Sequence, residues 1–355
     1  MRPTGKLHLG NYMGALANWV KLQDQYECYF FIADLHALTT DYADTSGIGP
    51  NTLEVALDFL AAGLDPDRCT IFVQSHVAQH SELFALFSMI TPLGWLERVP
   101  TYKEQQEQLT KKDLSTYGFL GYPLLQAADI LLYQPQFVPV GQDQVAHVEL
   151  TREVARRFNF VYPGDPRKLT RQMMTWMATD APLTDAQSSQ MKSHYVFPEP
   201  DVLVTPSPKL PGTDGRKMSK SYGNTINITD PEAEVRKKLK RMVTDPARVR
   251  RTDPGDPDKC PVGDLHKVFS TPETLVNVYD GCRTAGIGCI QCKGWAADAL
   301  VQLLAPIQER RASFTEAQVE EILEDGSNRA RARAEQTMQE VRAAMQMGQS
   351  SGGGC

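Results

Sequence analysis

The fold class follows from residues 28–74, which read CYFFIADLHALTTDYADTSGIGPNTLEVALDFLAAGLDPDRCTIFVQ. The two ends of this stretch, CYFFIA (28–33) and TIFVQ (70–74), are short apolar runs typical of buried strands. Between them, NTLEVALDFLAAGL (51–64) has the apolar spacing of a helix. Two buried strands joined through a helix predict parallel pairing in an α/β sheet.

The same alternation continues towards the carboxyl terminus. A helix is predicted over about 80–91, a third strand at QFVPVG (136–141), and an amphipathic helix at QVAHVELTREVARRF (144–158). This order predicts a parallel sheet with flanking helices, in which ligands bind at the carboxyl ends of the strands. Three polar features fall at that edge: Asp34, His36 and the GQDQ segment (141–144).

The rest of the chain does not continue this alternation of strands and helices. Residues 163–197 mix Met, Gln, Ser and Thr without a sustained period, which predicts an insertion or a mobile surface element with no assigned function. From residue 230 the pattern is helical, first in DPEAEVRKKLKRMV (230–243) and then over 293–345. The closing QSSGGGC (349–355) is expected to be flexible.

Composition narrows the function classes. The chain has 355 residues and a net charge of −6, and this acidic balance argues against a protein that coats DNA. No apolar run approaches the roughly 20 residues of a membrane helix, and no basic–apolar leader opens the sequence. We therefore expect a cytoplasmic protein that contacts no membrane and no DNA, and that binds RNA, if at all, through local basic patches.

The segment TGKLHLGN (4–11) runs into a helical pattern and has the features of a phosphate site. A loop that enters a helix offers backbone N–H groups and the positive end of the helix dipole to an anion. Gly10 has no Cβ, so a nucleotide can approach the backbone, and His8 can donate a hydrogen bond beside a phosphate. The alternative is an ordinary helix cap with an incidental histidine.

A second candidate is KMSKS (217–221), which follows the turn-rich GTDGR (212–216) and so lies on a loop that we expect to be mobile. Two lysines three residues apart, with interleaved serines, suit a flexible clamp for a polyphosphate. The alternative is a solvated Lys/Ser loop, which becomes less attractive once the first motif lies upstream across an α/β pattern.

The motif pair resembles the HIGH and KMSKS signatures of class I aminoacyl-tRNA synthetases, with HLGN standing for the first. Four further blocks resemble the tryptophanyl enzymes of that class: GNYMGAL (10–16), ADLHALT (33–39), GYPLLQAADILLY (121–133) and VPVGQDQVAHVELTR (138–152). The resemblance implies ATP-dependent activation of L-tryptophan with Mg²⁺, transfer of the tryptophanyl group to the 3′ end of tRNA(Trp), and a homodimer.

The resemblance also assigns roles to individual residues. The catalytic set is His8, Lys217, Ser219 and Lys220. The ATP contacts are Arg2, Pro3, Thr4, Gly10, Asn11, Gly141, Gln142, Asp143, Lys217, Met218, Ser219, Lys220 and Ser221. The tryptophan contacts are Asp129, which accepts the indole N–H, Tyr122 and Gln144, which hold the amino group, and His36, which lines the pocket. Without the resemblance, Asp129 reads as a helix-surface or capping carboxylate.

The implied domain order is a Rossmann-like catalytic domain (1–162), an insertion (163–197), the KMSKS region (198–229), a helical tRNA anticodon-binding domain (230–346) and a flexible tail (347–355). Family members carry a short strand and a Gly-containing turn ahead of the segment that matches RPTGKLHLGN (2–11), whereas this sequence starts at Met1. We therefore expect the polypeptide as written to lack a central strand and to be poorly folded or weakly active.

Four of the seven cysteines are spaced Cys260-x21-Cys282-x6-Cys289-x2-Cys292, a pattern that can converge on one four-sulfur site. Structural zinc, an iron–sulfur cluster and thiols without metal are all compatible with the residues. Resemblance to the bacterial tryptophanyl enzymes that carry a [4Fe–4S] cluster favours the cluster, with Zn²⁺ as the alternative. Basic runs at 237–241 and 247–251 suggest a nearby surface for the anticodon end of tRNA.

Two other functions compete with this interpretation. The nearer is a tyrosyl-tRNA synthetase, which shares the fold and the motif pair; QAADILLY (126–133) and GQDQVAHVELTR (141–152) favour tryptophan. The second is a non-catalytic relative that binds RNA or tryptophan as a regulator, against which the intact KMSKS argues.

Overall fold

The described part of the chain contains four short strands in two parallel pairs. The computed structural model describes residues 1–99, 114–179, 182–204 and 208–347, so the expected tail lies outside the described residues except for Met347. Strand β1 (Cys28–Ile32) pairs with β2 (Cys69–Val73), and β3 (Phe137–Val140) pairs with β4 (Asp201–Val204). The predicted parallel α/β arrangement is confirmed. Every residue of β2 is buried, as expected for a strand covered on both faces.

The two strand pairs are separate sheets, and β1 and β3 border a cavity of about 800 Å³. At the carboxyl end of β1, the backbone of Met1 hydrogen-bonds like a parallel strand residue. Its ammonium donates to the Phe31 carbonyl at 2.6 Å, and its carbonyl accepts from the Ala33 N–H at 2.8 Å. Burial lowers the pKa of this ammonium to about 5. The loop that follows Met1 is thereby brought to the edge where ligands are expected.

Helices surround the strands. The helical elements before β4 are α1 (Leu9–Asn11), a π-helical turn (Tyr12–Leu16), α2 (Ala17–Leu22), α3 (Asp34–Asp41), α4 (Ile48–Ala62), α5 (Gln79–Ser88), α6 (Leu93–Glu97), α7 (Tyr117–Leu131), α8 (Val145–Val161), α9 (Arg171–Met177) and α10 (Asp185–Lys192). The helix predicted from residue 51 begins earlier, at Ile48, because Pro50 is tolerated in a first helical turn. No helix among the described residues is long and apolar enough to cross a membrane.

The described part of 163–197, predicted as an insertion or a mobile surface element, contains two helices, α9 and α10. Each helix has a threonine N-cap whose side chain accepts a backbone N–H: Thr170 from Met173, and Thr184 from Gln187. A small separate core of Leu169, Met173 and Met191 lies beneath them. Helices of seven and eight residues span only about two turns each, too short for a period to be recognised in the sequence.

The carboxyl-terminal part is helical as predicted. It contains α11 (Glu232–Arg241), α12 (Pro261–Phe269), α13 (Pro272–Arg283), α14 (Cys289–Ser313) and α15 (Glu316–Ala344). The pattern predicted over 293–345 is two helices, because the chain leaves helical geometry at Phe314 and Thr315 caps the next helix. Helix α15 packs directly on β2: a Cβ on Gly326 would lie 1.8 Å from the Ile71 carbonyl oxygen. Helix α15, which ends the helical part of the chain, therefore also covers β2.

Candidate active site

The first motif ends in a helix cap built by His8 and Asn11. The His8 Nδ1 accepts from the Asn11 N–H at 3.3 Å, and the Asn11 Oδ1 accepts from the His8 N–H at 3.1 Å. Burial, assisted by the charge of Lys220, lowers the pKa of His8 to about 4. The ring is therefore neutral at pH 7, and because Nδ1 accepts, Nε2 carries the hydrogen. The segment does cap a helix, but the histidine is not incidental, because His8 itself forms the cap and keeps one imidazole donor for a ligand.

The His8 ring leaves no room for a side chain at position 10, so it is the nearest reason for Gly10. A Cβ at position 10 would lie 2.8 Å from the His8 Cε1 and 2.9 Å from its Nδ1, closer than real Cβ atoms come. The sequence argument attributed Gly10 to the approach of a nucleotide. The structure adds a nearer reason, the space taken by the His8 ring, which no sequence pattern reports.

The KMSKS segment lies against the first motif. The Lys220 Nζ donates to the Gly5 carbonyl at 2.7 Å and lies 3.5 Å from the Thr4 Oγ1, across 215 and 216 residues of sequence. Burial lowers the pKa of Lys220 to about 8, although the charge of Asp58 opposes the shift. The two segments singled out as phosphate motifs are therefore adjacent in space, as their pairing in the sequence predicted.

The loop around KMSKS is anchored by two buried side chains. Met218 inserts into the main apolar core. Asn224 accepts from the Ser219 N–H at 2.8 Å and donates to the Asp214 carboxylate at 2.7 Å. Lys217 and Ser221 are exposed beside these anchors. Asn224 lies outside the motif, and the sequence argument missed it.

The other predicted ATP residues lie at two positions around the cavity mouth. Arg2 and Thr4 are exposed on the first loop, with Pro3 buried between them. A 3₁₀ turn, Gln142–Gln144, follows β3, and the Gln144 amide donates to the Asp143 carboxylate at 3.2 Å. Gly141 and Gln144 border the same cavity as Arg2. The first loop and the segment after β3 thus meet at the same cavity.

Asp129 is the buried polar centre of the site. It lies on α7, is 2% exposed, and receives three hydrogen bonds of 2.7 Å. His36 bonds to Oδ2, while His80 and the Gln74 amide bond to Oδ1. Burial alone would raise the pKa of Asp129, but the charges and hydrogen bonds of the two histidines outweigh it and hold the pKa below its ordinary value. Asp129 is therefore an ionised acceptor, and the surface-carboxylate alternative is wrong.

Two residues of this network were missed by sequence reasoning. Gln74 stands in the turn that follows β2, and His80 stands on α5 with its Nε2 2.9 Å from the Tyr133 hydroxyl. Both are completely buried. The only sequence signal was Gln74 at the end of a predicted strand, since His80 lies in an ordinary helical pattern.

The tryptophan residues named in the sequence analysis come together in the 800 Å³ cavity. Its lining includes His36, Tyr122, Asp129 and Gln144, with aromatic walls from Trp19, Phe30, Tyr29 and Tyr133. The Tyr122 ring lies 5.5 Å from that of His147, whose pKa burial lowers to about 4. An apolar cavity with an ionised acceptor at its inner wall suits an aromatic ligand that carries one N–H.

The four cysteines gather at the other end of the helical part. Cys260 immediately precedes α12, Cys282 lies near the end of α13, and Cys289 and Cys292 lie in the first turn of α14. Burial raises the pKa of Cys292 to about 12, and the other three thiols add to that rise, so all four share one electrostatic environment. Within the described ranges, no three His, Cys, Asp or Glu side chains converge closely enough to hold a single metal ion.

Comparisons with known proteins agree with the kind of site described above. The family described as tRNA synthetases class I (W and Y) matches residues 1–305. A tryptophan–tRNA ligase of Ralstonia nicotianae is 50% identical, covering 97% of this chain and 96% of its own, and one of Thermotoga maritima is 49% identical with 98% of each covered. The crystal structure of tryptophanyl-tRNA synthetase from Campylobacter jejuni, complexed with ADP and tryptophan, matches with a TM-score of 0.80 and 29% identity over 98% of both chains. This chain belongs to the class I tRNA synthetases for tryptophan and tyrosine, on the tryptophanyl side of that family.

Proposed function

We propose that this chain is a tryptophan–tRNA ligase that activates L-tryptophan with ATP and transfers it to tRNA(Trp). One observation carries the proposal: Lys220 of KMSKS bonds to Gly5 of the first motif, and Arg2 at the start of that loop lines an aromatic cavity that also contains the ionised Asp129. The tryptophan–tRNA ligases among its relatives support the substrate.

Activation needs alignment and charge stabilisation rather than a protein nucleophile. The tryptophan carboxylate attacks the α-phosphorus of ATP, and pyrophosphate leaves with the electrons of the broken P–O bond. We assign the pyrophosphate side to Lys217, Ser219 and Lys220, whose donors meet the developing negative charge. ATP enters as its Mg²⁺ complex, which screens the phosphates.

The neutral His8 fits a role as donor on the opposite side of the triphosphate. Its Nδ1 is occupied by the helix cap, so only the Nε2–H is available. Asn11 fixes the ring through the same cap. We assign the nucleotide to Arg2 and Gly141, which line the cavity, together with their neighbours Thr4, Gln142 and Asp143. A neutral histidine adds a directed hydrogen bond without repelling the cations that also bind the phosphates.

Tryptophan selectivity is proposed to rest on the last free lone pair of Asp129. A carboxylate offers about four acceptor positions, and His36, His80 and Gln74 occupy three of them. The remaining position on Oδ2 accepts the indole N–H, and Tyr122 and Gln144 hold the amino group. A phenylalanine ring leaves that position desolvated without a donor, and such sites discriminate strongly against the analogue that lacks the group.

The test is amino-acid-dependent exchange of pyrophosphate into ATP. Tryptophan should support exchange, and tyrosine and phenylalanine at the same concentration should support at least about 1,000-fold less. Comparable exchange with tyrosine would favour the tyrosyl alternative. Tight tryptophan binding without any exchange would favour the non-catalytic regulator.

We further propose that the helical part, residues 230–346, binds the anticodon end of tRNA(Trp), and that residues 1–162, 163–197 and 198–229 form the catalytic domain, its insertion and the KMSKS region. Helix α11 supports this, because its last turn carries the exposed cations Lys240 and Arg241. Exposed cations release counterions from a phosphate backbone, which predicts tRNA affinity that falls steeply with salt.

The four-cysteine site is proposed to hold a [4Fe–4S] cluster. A zinc ion bound by four thiolates at about 2.3 Å draws the sulfurs to within about 4 Å of one another. In a cluster the thiolates bind different irons, so a looser set of four fits better. The spacing of the four cysteines and the resemblance to cluster-bearing tryptophanyl enzymes support the proposal, and the thiols are close enough to raise the pKa values of Cys282 and Cys292. Bound there, the cluster would cross-link α12, α13 and α14.

A homodimer is proposed as the assembly, as the family resemblance implies. Met89 and Phe160 support it, because they are 78% and 84% exposed and lie at the ends of α5 and α8. Large exposed apolar side chains on neighbouring helices are typical of a surface that another chain covers. Sedimentation analysis at micromolar concentration should give a mass near 79 kDa, twice the 39.5 kDa of one chain.

A further inference from the structure

Helix α14 links the two functional ends of the chain. Its first turn carries Cys289 and Cys292, and its last turn carries Arg311. Its 25 residues span about 37 Å at 1.5 Å per residue. The helix therefore connects the four-cysteine region to the residues that contact its last turn.

Arg311 reaches the first motif through a buried carboxylate. Its Nη1 donates to the Asp58 Oδ1, and its Nη2 donates to the Glu54 Oε2 at 2.7 Å. Asp58 is 0% exposed, and its other oxygen accepts from the Leu7 N–H of the motif at 3.2 Å. Burial raises the pKa of Asp58 to about 6, a rise that Arg311 opposes most strongly. The Arg311 guanidinium therefore keeps ionised the carboxylate that holds Leu7.

The same end of α14 also holds the chain that follows KMSKS. The Gln308 amide donates to the carbonyls of Ile228 and Asp230 at 3.0 and 2.9 Å. The Ile228 N–H in turn donates to the Leu7 carbonyl at 3.0 Å, and the Leu9 N–H donates to the Ile226 carbonyl at 2.9 Å. Leu7–Leu9 and 226–228 thus form a short antiparallel pair around the bridge between His8 and Asn227.

We propose that Asp58, Arg311 and Gln308 are positioning residues that fix the two phosphate motifs relative to each other from the end of α14. None of the three belongs to either motif. Arg311 binds Asp58, which accepts a hydrogen bond from the Leu7 N–H of the first motif. Gln308 binds the carbonyls of Ile228 and Asp230, in the segment that follows the second motif. Removing one partner of such a buried pair leaves an uncompensated charge, so the pair constrains the loop as a unit. The kinetic prediction rests on the proposed function, while the structural one stands without it.

The test compares Arg311→Gln with Glu54→Gln. Both substitutions remove part of the same ion-pair group, but only the first deprives the carboxylate that binds Leu7 of its cation. For R311Q, kcat/KM for ATP should fall about 10- to 100-fold, while KM for tryptophan stays within about twofold, because a small misplacement of a reacting group is costly to the chemistry it aligns. E54Q should stay within about threefold for both substrates.

Amide hydrogen exchange gives the second readout. Exchange at Leu7, Leu9 and Ile228 should be at least tenfold faster in R311Q than in the wild type and unchanged in E54Q, with β1 and β2 unaffected. If R311Q does not accumulate as folded protein, Gln308→Ala carries the same prediction, since it removes only the two hydrogen bonds to the 228–230 segment. A conservative R311K should recover part of the ATP effect.

Equal effects of R311Q and E54Q would overturn the proposal. So would a parallel loss for ATP and tryptophan that scales with the fraction of active sites, which is the signature of general destabilisation. If the wild type shows no tryptophan-dependent exchange, the proposed function fails, and the hydrogen-exchange comparison still decides the positioning role.

Discussion

Raising the pH from 7 to 9 is expected to weaken the use of ATP by discharging Lys220. Burial lowers the pKa of this lysine from 10.5 to about 8, with Asp58 opposing and Arg2 assisting the shift. At a pKa near 8, the charged fraction falls from about 0.9 at pH 7 to about 0.1 at pH 9. The pH dependence of kcat/KM reports groups of the free enzyme, so kcat/KM for ATP should fall roughly tenfold over that range.

This loss is separable from unfolding because the two depend on pH in opposite directions. The folded-state pKa of Lys220 lies below the unfolded value, so between about pH 8 and 10.5 the unfolded chain binds more protons at this site. The contribution of Lys220 to the free energy of unfolding therefore rises with pH in that window. Circular dichroism at each pH should show a folded protein while ATP use declines.

Lys220→Arg is the decisive variant, since a guanidinium stays charged throughout the range. Its kcat/KM for ATP should be lower than that of the wild type at pH 7 but flat between pH 7 and 9. Lys217→Arg should retain the alkaline decline whatever its absolute activity. A wild-type profile that is flat to pH 10, or an alkaline decline that persists in K220R, would refute the role given to this lysine.

Two further predictions concern the buried residues Asp129 and Arg248. Asp129→Asn replaces one acceptor oxygen with a donor amide, which then faces His80, Gln74 or the indole N–H. In pyrophosphate exchange, kcat/KM for tryptophan should therefore fall about 100-fold, while KM for ATP stays within about twofold. Arg248 is 9% exposed and donates to the Cys282 sulfur at 3.6 Å. Arg248→Gln should therefore lower the reduction potential of the proposed cluster by about 60 mV, a tenfold change for one electron.

The controls for these two variants come from exposed neighbours. Asp143→Asn removes a carboxylate from the nucleotide side of the cavity, so its effect should fall on ATP rather than on tryptophan, and the reverse result contradicts the assignment of Asp129. Arg250→Gln removes an exposed cation two residues from Arg248 and should leave the potential unchanged. Anaerobically purified wild-type protein without iron and sulfide would contradict the cluster and the prediction for Arg248 together.

Sequence reasoning succeeded where one local pattern determines the structure. The strands at 28–32 and 69–73 are apolar runs of strand length, and their parallel pairing follows from the helix between them. The adjacency of Lys220 and Gly5 was expected from the motif pair, because both motifs end at the same edge of an α/β fold. The family could also be inferred from the sequence blocks that resemble the tryptophanyl enzymes, and it is confirmed.

Sequence reasoning failed where a side chain meets a partner from a distant part of the chain, and where the local signal of an element is weak. Arg311 meets Asp58 across 253 residues, and His80 meets Asp129 across 49, and neither pair has a spacing that a pattern would reveal. The short helices after residue 170 could have been found from the capping box, since Thr184 is followed three residues later by Gln187. That the His8 side chain itself forms the helix cap was seen only in the structure.

The most direct test of the central claim is the charging of tRNA(Trp) with labelled tryptophan in the presence of ATP and Mg²⁺. The account predicts tryptophanyl-tRNA in amounts matched by AMP and pyrophosphate, with no charging by tyrosine and none by the K220A variant above about 1% of the wild-type rate. Tryptophan bound without AMP formation, or equal charging with tyrosine, would contradict it.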